Sequence, residues 1–156
     1  MADVLPRRVY LAIGDVLTHR RFHPVHRRLY RWTGGRGVLS RALGVDMILV
    51  TVPGRQSGAS RTIPLAAVRD GRDWIVVGSN AGKAAMPAWA HNLRDAGAVT
   101  VEHRTEAAAF RAVEAAGDER ERCWSIAVGA YPGFEAYRAR TDRPIPVFVL
   151  RPVAED

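Results

Sequence analysis

The stretch MILVTVPGRQSGASRTIPLAAV, residues 47–68, decides the fold. Met47 to Val52 is an apolar, largely β-branched run, which suits a pleated, half-buried surface better than a helix. Pro53-Gly54 stops it. From Arg61 to Val68 the chain reads as a second strand. Pro64 inside that strand has no N–H to donate, so it predicts an edge or a bulge at that point. Two strands joined by a short glycine-containing loop form an antiparallel hairpin.

Arg69-Asp70-Gly71-Arg72 is a hairpin turn, because Asp-Gly tolerates positive φ. Trp74 to Gly78 returns as a third strand. Pro87 to Asp95 has proline at a helix start and Gly97 just past its end. Ala98 to His103 and Glu106 to Val113 read as two more strands, joined near Arg104-Thr105. Asp118 to Val128 has helical spacing through Arg122, Trp124 and Val128, with Asp118 placed as N-cap. Tyr131 to Arg140 continues as a turn and short helix, and Pro144 to Leu150 is the closing strand. About six strands with few helices between them exclude a Rossmann alternation. The expected fold is mainly β with helices, α+β: a small antiparallel barrel with helices packed against it.

The composition agrees. The chain has 156 residues, 47% hydrophobic and 25% charged, which fits one domain with a core of its own and excludes disorder. A single cysteine, Cys123, excludes a disulfide framework and any zinc site built from cysteine pairs. Beside Trp124 it reads as a buried helix residue rather than a nucleophile. No apolar run approaches the roughly 20 residues that span a bilayer, and the N-terminal apolar stretch is too short for a secretory signal. The expected compartment is the cytoplasm.

The net charge of +7 is unevenly spread. Residues 1–45 hold nine Arg and two Asp, so they carry the whole excess, and residues 46–156 are neutral. The N-terminal part is read as a basic amphipathic helical arm and the rest as the barrel domain. Val25, Leu29 and Trp32 recur at helical spacing among the arginines, and Val38, Leu39, Ala42 and Leu43 follow. Such an arm either packs on the body or lies on an anionic membrane, at the inner face of the cell membrane. Nucleic acid is the weaker partner, since no zinc-finger spacing, basic zipper or RNA-binding signature occurs. His19, His23 and His26 lie beside arginines that repel a cation, and His91 and His103 are isolated, so no metal site is expected. No GxSxG elbow supports a hydrolase.

Chemistry concentrates in two segments. Between the first two strands, Gly54 and Gly58 flank Arg55, Gln56 and Ser57, and Arg61 begins the next strand. Glycines let amides turn toward an anion, and arginine and serine add donors, so this is phosphate-binding chemistry without Walker spacing. The second runs Gly78-Ser79-Asn80-Ala81-Gly82 and on to Trp89 and Asn92, where a strand ends in small polar residues before a helix start. That is a place for a planar polar ligand. Trp89 reads as core before cofactor stacker, and Asn92 equally as structural amide or ligand contact.

With these segments in view, the chain resembles the deazaflavin-dependent nitroreductase-like proteins of actinobacteria, split β-barrel oxidoreductases of the flavin-reductase type that use coenzyme F-420. The resemblance covers Tyr30 to Pro152 and rests on RWTGGRG, LVTVPGRQSGASRTIPL, VGSNAGKAAMPAWAHNL and AVGAYPGFEAYRARTDRPIPVFVLRP, in that order. It implies that the cofactor phosphate sits by Arg55, Gln56, Ser57 and Arg61, and that backbone near Pro64, Leu65 and Ala66 lines the deazaflavin. It further implies that Ser79, Asn80, Ala81, Trp89 and Asn92 contact the ring or its side chain. Two positions depart from the family pattern: Gln56 stands where a basic residue is usual, and Phe134 replaces the middle of three tyrosines. Tyr131, Phe134 and Tyr137 would line the substrate pocket, with Tyr131 and Tyr137 as proton donors. The expected activity is hydride transfer from reduced F-420 to a small electron-poor acceptor: a quinone, enone, activated alkene or nitro compound. The alternatives are an FMN-using reductase of the same fold, or a non-catalytic cofactor- or lipid-binding protein. Oligomeric state stays open.

Overall fold

A computed structural model describes residues 5–18, 23–32 and 43–154. Six strands form a closed antiparallel barrel: β1 (Asp46–Pro53), β2 (Ser60–Asp70), β3 (Asp73–Val77), β4 (Ala98–His103), β5 (Glu106–Glu114) and β6 (Val147–Pro152). Around the barrel the order is β1-β2-β3-β6-β5-β4, and β4 closes back on β1 through Leu49 opposite Glu102 and Val50 opposite Val101. Five α-helices are described: α1 (Arg7–Leu17), α2 (His23–Trp32), α3 (Ala88–Ala96), α4 (Gly117–Ala130) and α5 (Gly133–Arg138).

Burial explains the strand patterns. One core fills the barrel, with Ile48, Val50 and Val52 of β1, Val76 of β3, and Phe148 and Leu150 of β6. A second lies outside it, where Ile75, Val77, Val147 and Val149 meet α4, α5 and Tyr10 of α1. Strands β3 and β6 are therefore buried on both faces, which is why they read as continuous apolar runs. Strand β4 instead alternates exposed Ala98 and Thr100 with buried Val99 and Val101, as expected with one face in solvent. Phe148 is fully buried, and burial of such a side chain contributes about 1.5–3 kcal/mol.

The β1–β2 ladder runs without interruption through Leu49 opposite Pro64, so Pro64 is not at a bulge. It is at a local edge: β3 pairs with β2 only from Ala67 onward, which leaves residues 60–66 bonded on one side. The missing N–H of Pro64 costs nothing there. The two-residue turn Gly71-Arg72 has Gly71 at φ 59, and Gly97 ends α3 at φ 66.

Two boundaries differ from the sequence reading. Helix α4 starts at Gly117 with Ala116 at the N-cap. Asp118 is therefore not the cap; with Glu119 it lies in the first turn, where a carboxylate favours the helix dipole. The last strand starts at Val147, not Pro144. Pro144 and Pro146 have no N–H for a ladder, and the Pro146 carbonyl accepts from Gly78 N at 2.8 Å instead.

Helix α1 packs on the body through buried Tyr10. Tyr30 of α2 is buried, and its hydroxyl accepts from Arg104 N at 2.9 Å in the β4–β5 turn. Val38, Leu39, Ala42 and His19 lie outside the described residues, and Leu43 packs on the outer core. Cys123 is buried, and desolvation pushes its thiol pKa up, so it is a packing residue.

Candidate active site

The one-sided edge of β2 borders a cavity of about 820 Å³. Arg61, Ile63, Pro64, Leu65 and Ala66 contribute from β2. From Arg61 to Ala66 is five strand steps, about 17 Å at the usual rise. The wall opposite comes from Ser79, Asn80, Ala81 and Lys83, then from Met86, Pro87, Trp89 and Asn92 at the start of α3. Tyr131, Phe134 and Tyr137 close one end, and Gly14 of α1 with Thr18 at its C-terminal cap completes it.

Most of the residues singled out in the sequence therefore meet in one place. Arg61, Pro64, Leu65, Ala66, Ser79, Asn80, Ala81, Trp89, Asn92, Tyr131, Phe134 and Tyr137 all line the cavity. Arg55, Gln56 and Ser57 do not; they are exposed on the hairpin loop that carries Arg61. That loop is a tight turn, closed by Gly58 N to Gly54 O at 2.7 Å and Gly54 N to Ala59 O at 2.9 Å. A Cβ at Gly54 would sit 3.0 Å from Arg61 Nε and 3.1 Å from Ser57 Oγ, so both donors gather over one glycine. Asn92 Oδ1 accepts from Arg55 N at 3.2 Å, tying α3 to the loop. Trp89 is half-buried on the barrel core, 6.0 Å from the Phe148 ring, with part of its surface on the cavity.

The tyrosine end is polar but buried. Tyr131 and Tyr137 are buried, with their hydroxyls 2.9 Å apart. Tyr137 Oη also donates to the Tyr10 carbonyl at 3.0 Å. A phenol has one hydrogen, and a carbonyl only accepts. The bond between the hydroxyls therefore runs from Tyr131 to Tyr137, and the chain points at α1. Burial is the largest cause raising both phenol pKa values above the ordinary tyrosine range, so both stay protonated throughout neutral pH. Phe134 packs edge-on to both rings, 5.2 Å from Tyr131 and 6.3 Å from Tyr137, and adds hydrocarbon beside the hydroxyl pair.

The sequence reading missed Lys83 and the α1 residues. Lys83 is the sole lysine of the chain and lies inside a quoted motif, so a signal existed. Its Nζ bonds Thr18 Oγ1 at 2.8 Å, and Asp15 pairs with Arg140 at 2.9 Å. Gly14 carried no local signal: its role appears only in space, where a Cβ would fall 2.6 Å from Tyr137 Oη and 2.7 Å from Ala81 Cβ.

The family described as F420H(2)-dependent quinone reductase matches residues 23–152. The chain belongs to this family. Among members from Mycobacterium tuberculosis, Rv3178 is 36% identical over 108 residues, 69% of this chain and 91% of that protein. The F420H(2)-dependent quinone reductase Rv1261c is 30% identical over 130 residues, 81% of this chain and 87% of that one. The solved structure of an F420-H2 dependent reductase, FDR-A, superposes with a TM-score of 0.63 at 35% identity, covering 67% of this chain and 93% of that one. HutZ, a heme storage protein from Vibrio cholerae, shares the fold at 14% identity and a TM-score of 0.50, covering 83% of this chain and 89% of that one. The barrel alone thus does not name a ligand. As an F420H(2)-dependent quinone reductase family member, the chain is an oxidoreductase, and the match begins after α1.

Proposed function

We propose that this protein reduces quinones with coenzyme F-420 bound along the β2 edge. The observation that carries the reading is one cavity joining a cationic end at Arg61 to a buried tyrosine pair, through walls that are mostly apolar. The residues suit the cofactor. No acidic side chain among the described residues pairs with Arg61, so its guanidinium is available to a phosphate. The run of about 17 Å from Arg61 to Ala66 accommodates a phosphate-bearing side chain and part of a ring. When bound, the reduced deazaflavin supplies a hydride to an electron-poor acceptor.

The chain's own residues do the rest. Arg61, with Arg55 and Ser57 at the rim, holds the anionic tail, and Gln56 leaves that rim one charge short of the usual family pattern. Ser79, Asn80, Ala81, Trp89 and Asn92 orient the ring, and the apolar walls exclude water. A quinone that accepts a hydride needs one proton to become a hydroquinone. Tyr137 commits its hydrogen to Tyr10, so Tyr131 is the hydroxyl that can turn from Tyr137 toward an acceptor. Enones, activated alkenes and nitro compounds are further acceptors of the same electronic type, and Phe134 leaves fewer hydroxyls to orient them.

The test is fluorescence titration of purified protein with F-420 and with FMN, then oxidation of reduced F-420 on adding a quinone. Binding of FMN in preference to F-420, or tight F-420 binding without turnover, overturns the reading. Tyr131→Phe is expected to lower kcat by up to about tenfold, less than an obligatory general acid, because the hydroquinone anion left by hydride addition can take its proton from bulk solvent on release. The wild-type rate should show no tyrosine titration between pH 6 and about 9, since burial raises both phenols. A Tyr131→Phe rate equal to wild type removes the proton assignment.

The arm gives a finer proposal. On α2, Val25, Leu29 and Trp32 are 63%, 50% and 85% exposed, with Arg28 exposed among them. An apolar stripe beside arginines is the chemistry of an anionic lipid interface. No helix among the described residues is long and apolar enough to cross a membrane, so the contact would be peripheral. Co-sedimentation with anionic vesicles at low salt is expected, reduced by high salt and by Trp32→Ala. Full-length protein that stays in the supernatant at low salt makes the stripe something other than a lipid contact.

A further inference from the structure

We propose that Arg143 is a positioning residue: its guanidinium clamps residues 78–83 in the strained form that shapes the cavity wall, and so sets the affinity of the site for the deazaflavin ring. The proposal rests on the cofactor reading above. Arg143 Nε donates to the Lys83 carbonyl at 2.9 Å and Nη2 to the Ser79 carbonyl at 2.8 Å. Nη1 donates to the Gly78 and Pro144 carbonyls at 3.2 and 3.3 Å. Every oxygen it engages is a backbone carbonyl. Its side chain is half-buried, no carboxylate among the described residues pairs with it, and burial lowers its pKa from the usual guanidinium value. Desolvating a cation without an anion in return is unfavourable. A planar fork that reaches several carbonyls at once is what only arginine supplies.

Three of those carbonyls belong to one six-residue segment, and that segment is strained. Asn80 at φ 45 and Ala81 at φ 54 are side-chain-bearing residues in the left-handed region, where Cβ crowds the following carbonyl. Consecutive residues in that state persist only when their surroundings over-determine them. Asn80 Nδ2 to Ala85 O at 2.8 Å and Arg140 Nη1 to Ala81 O at 3.4 Å add local ties. Arg143 is the tie that spans both ends of the segment, from Gly78 to Lys83. The segment in turn supplies Ser79, Asn80, Ala81 and Lys83 to the cavity, while Arg143 itself does not line it. Arg143 therefore acts through the loop.

The experiment compares wild type with Arg143→Lys and Arg143→Gln in two measurements. The first is amide hydrogen exchange of the ligand-free protein. The second is fluorescence titration with F-420 and with the deazaflavin riboside that lacks the phosphate tail. Arg143→Gln is expected to speed exchange across residues 79–85 while β1 and β4 keep their wild-type rates. It should weaken both ligands by the same factor, about tenfold. Arg143→Lys should recover part of both losses. Wild-type exchange across residues 79–85, or unchanged affinity for both ligands, overturns the clamp. Faster exchange spread through the whole barrel also overturns it, by making Arg143 a general stability residue. Wild-type protein that binds neither deazaflavin overturns the cofactor reading instead. That result is visible before any variant is made, and the exchange comparison still decides the clamp.

Discussion

Alanine at Gly82 is expected to destabilise the protein by about 2–4 kcal/mol and to abolish cofactor binding, combining left-handed strain with a backbone collision. Gly82 has φ +72, and a Cβ there would collide with the Tyr137 carbonyl oxygen and lie 2.8 Å from Arg140 Cβ. Neither neighbour can yield alone, because the Tyr137 carbonyl already accepts from Arg140 N at 3.1 Å at the end of α5. Relief requires α5 to move, and α5 carries Phe134 and Tyr137 of the cavity. Gly71 gives the control: it has φ +59 but nothing within 4 Å of its Cβ position. Gly71→Ala should thus cost only the left-handed strain, about 1–2 kcal/mol. The measurement is urea unfolding of both variants. Equal midpoints for the two would show that α5 and the 78–83 segment are not in contact as described.

Arg61→Ala is expected to weaken F-420 binding by about 1.5–3 kcal/mol, tenfold to over a hundredfold, as for the loss of a charged hydrogen bond. The loss should shrink as salt is raised, since Arg61 is exposed at the rim and its attraction for a phosphate is screened. Stability should hardly change, because the side chain covers no core. The tail-less deazaflavin riboside should bind wild type and Arg61→Ala alike, which separates a phosphate contact from a ring contact. Unchanged F-420 affinity in Arg61→Ala removes the phosphate assignment. The two variants act on opposite sides of the cavity: one on the charge at its mouth, the other on the backbone frame of its closed end.

The strands were legible because each carries a local signature. Met47 to Val52 and Trp74 to Val77 could be read from β-branched runs, and the turns between strands from Asp70-Gly71 and Pro53-Gly54. Gly78 to Asn92 could be read as one segment, small polar residues running to a helix start, and Ser79, Asn80, Ala81, Trp89 and Asn92 of it line the cavity. Where the reading failed, a local rule met a non-local competitor. Asp118 is a good cap residue, yet α4 begins one residue earlier at Gly117. Pro144 has an extended backbone preference, yet β6 waits for Val147, because two prolines have no hydrogens for a ladder. Pro64 fits either an edge or a bulge by its own chemistry. Only the point where β3 leaves β2 decides for the edge.

The sequence by itself determined a small antiparallel barrel of about six strands, a hairpin loop that displays Arg55, Ser57 and Arg61, and a C-terminal aromatic trio. Each rests on signals carried within single strands, turns or helices, although the barrel itself pairs β3 with the distant β6. Only the tertiary structure decided that α1 and its capping residue complete the cavity through Gly14 and Thr18, and that the Tyr10 carbonyl orients the Tyr137 hydroxyl across 127 residues of chain. It alone decided that Arg143 gathers carbonyls from a loop 60 and more residues away. The physical reason is the same in each case. Periodicity and turn chemistry act over a few residues, whereas a carbonyl offers no side-chain identity for a sequence to display. Which backbone oxygen meets which guanidinium or phenol is settled when the barrel closes and the helices dock on it.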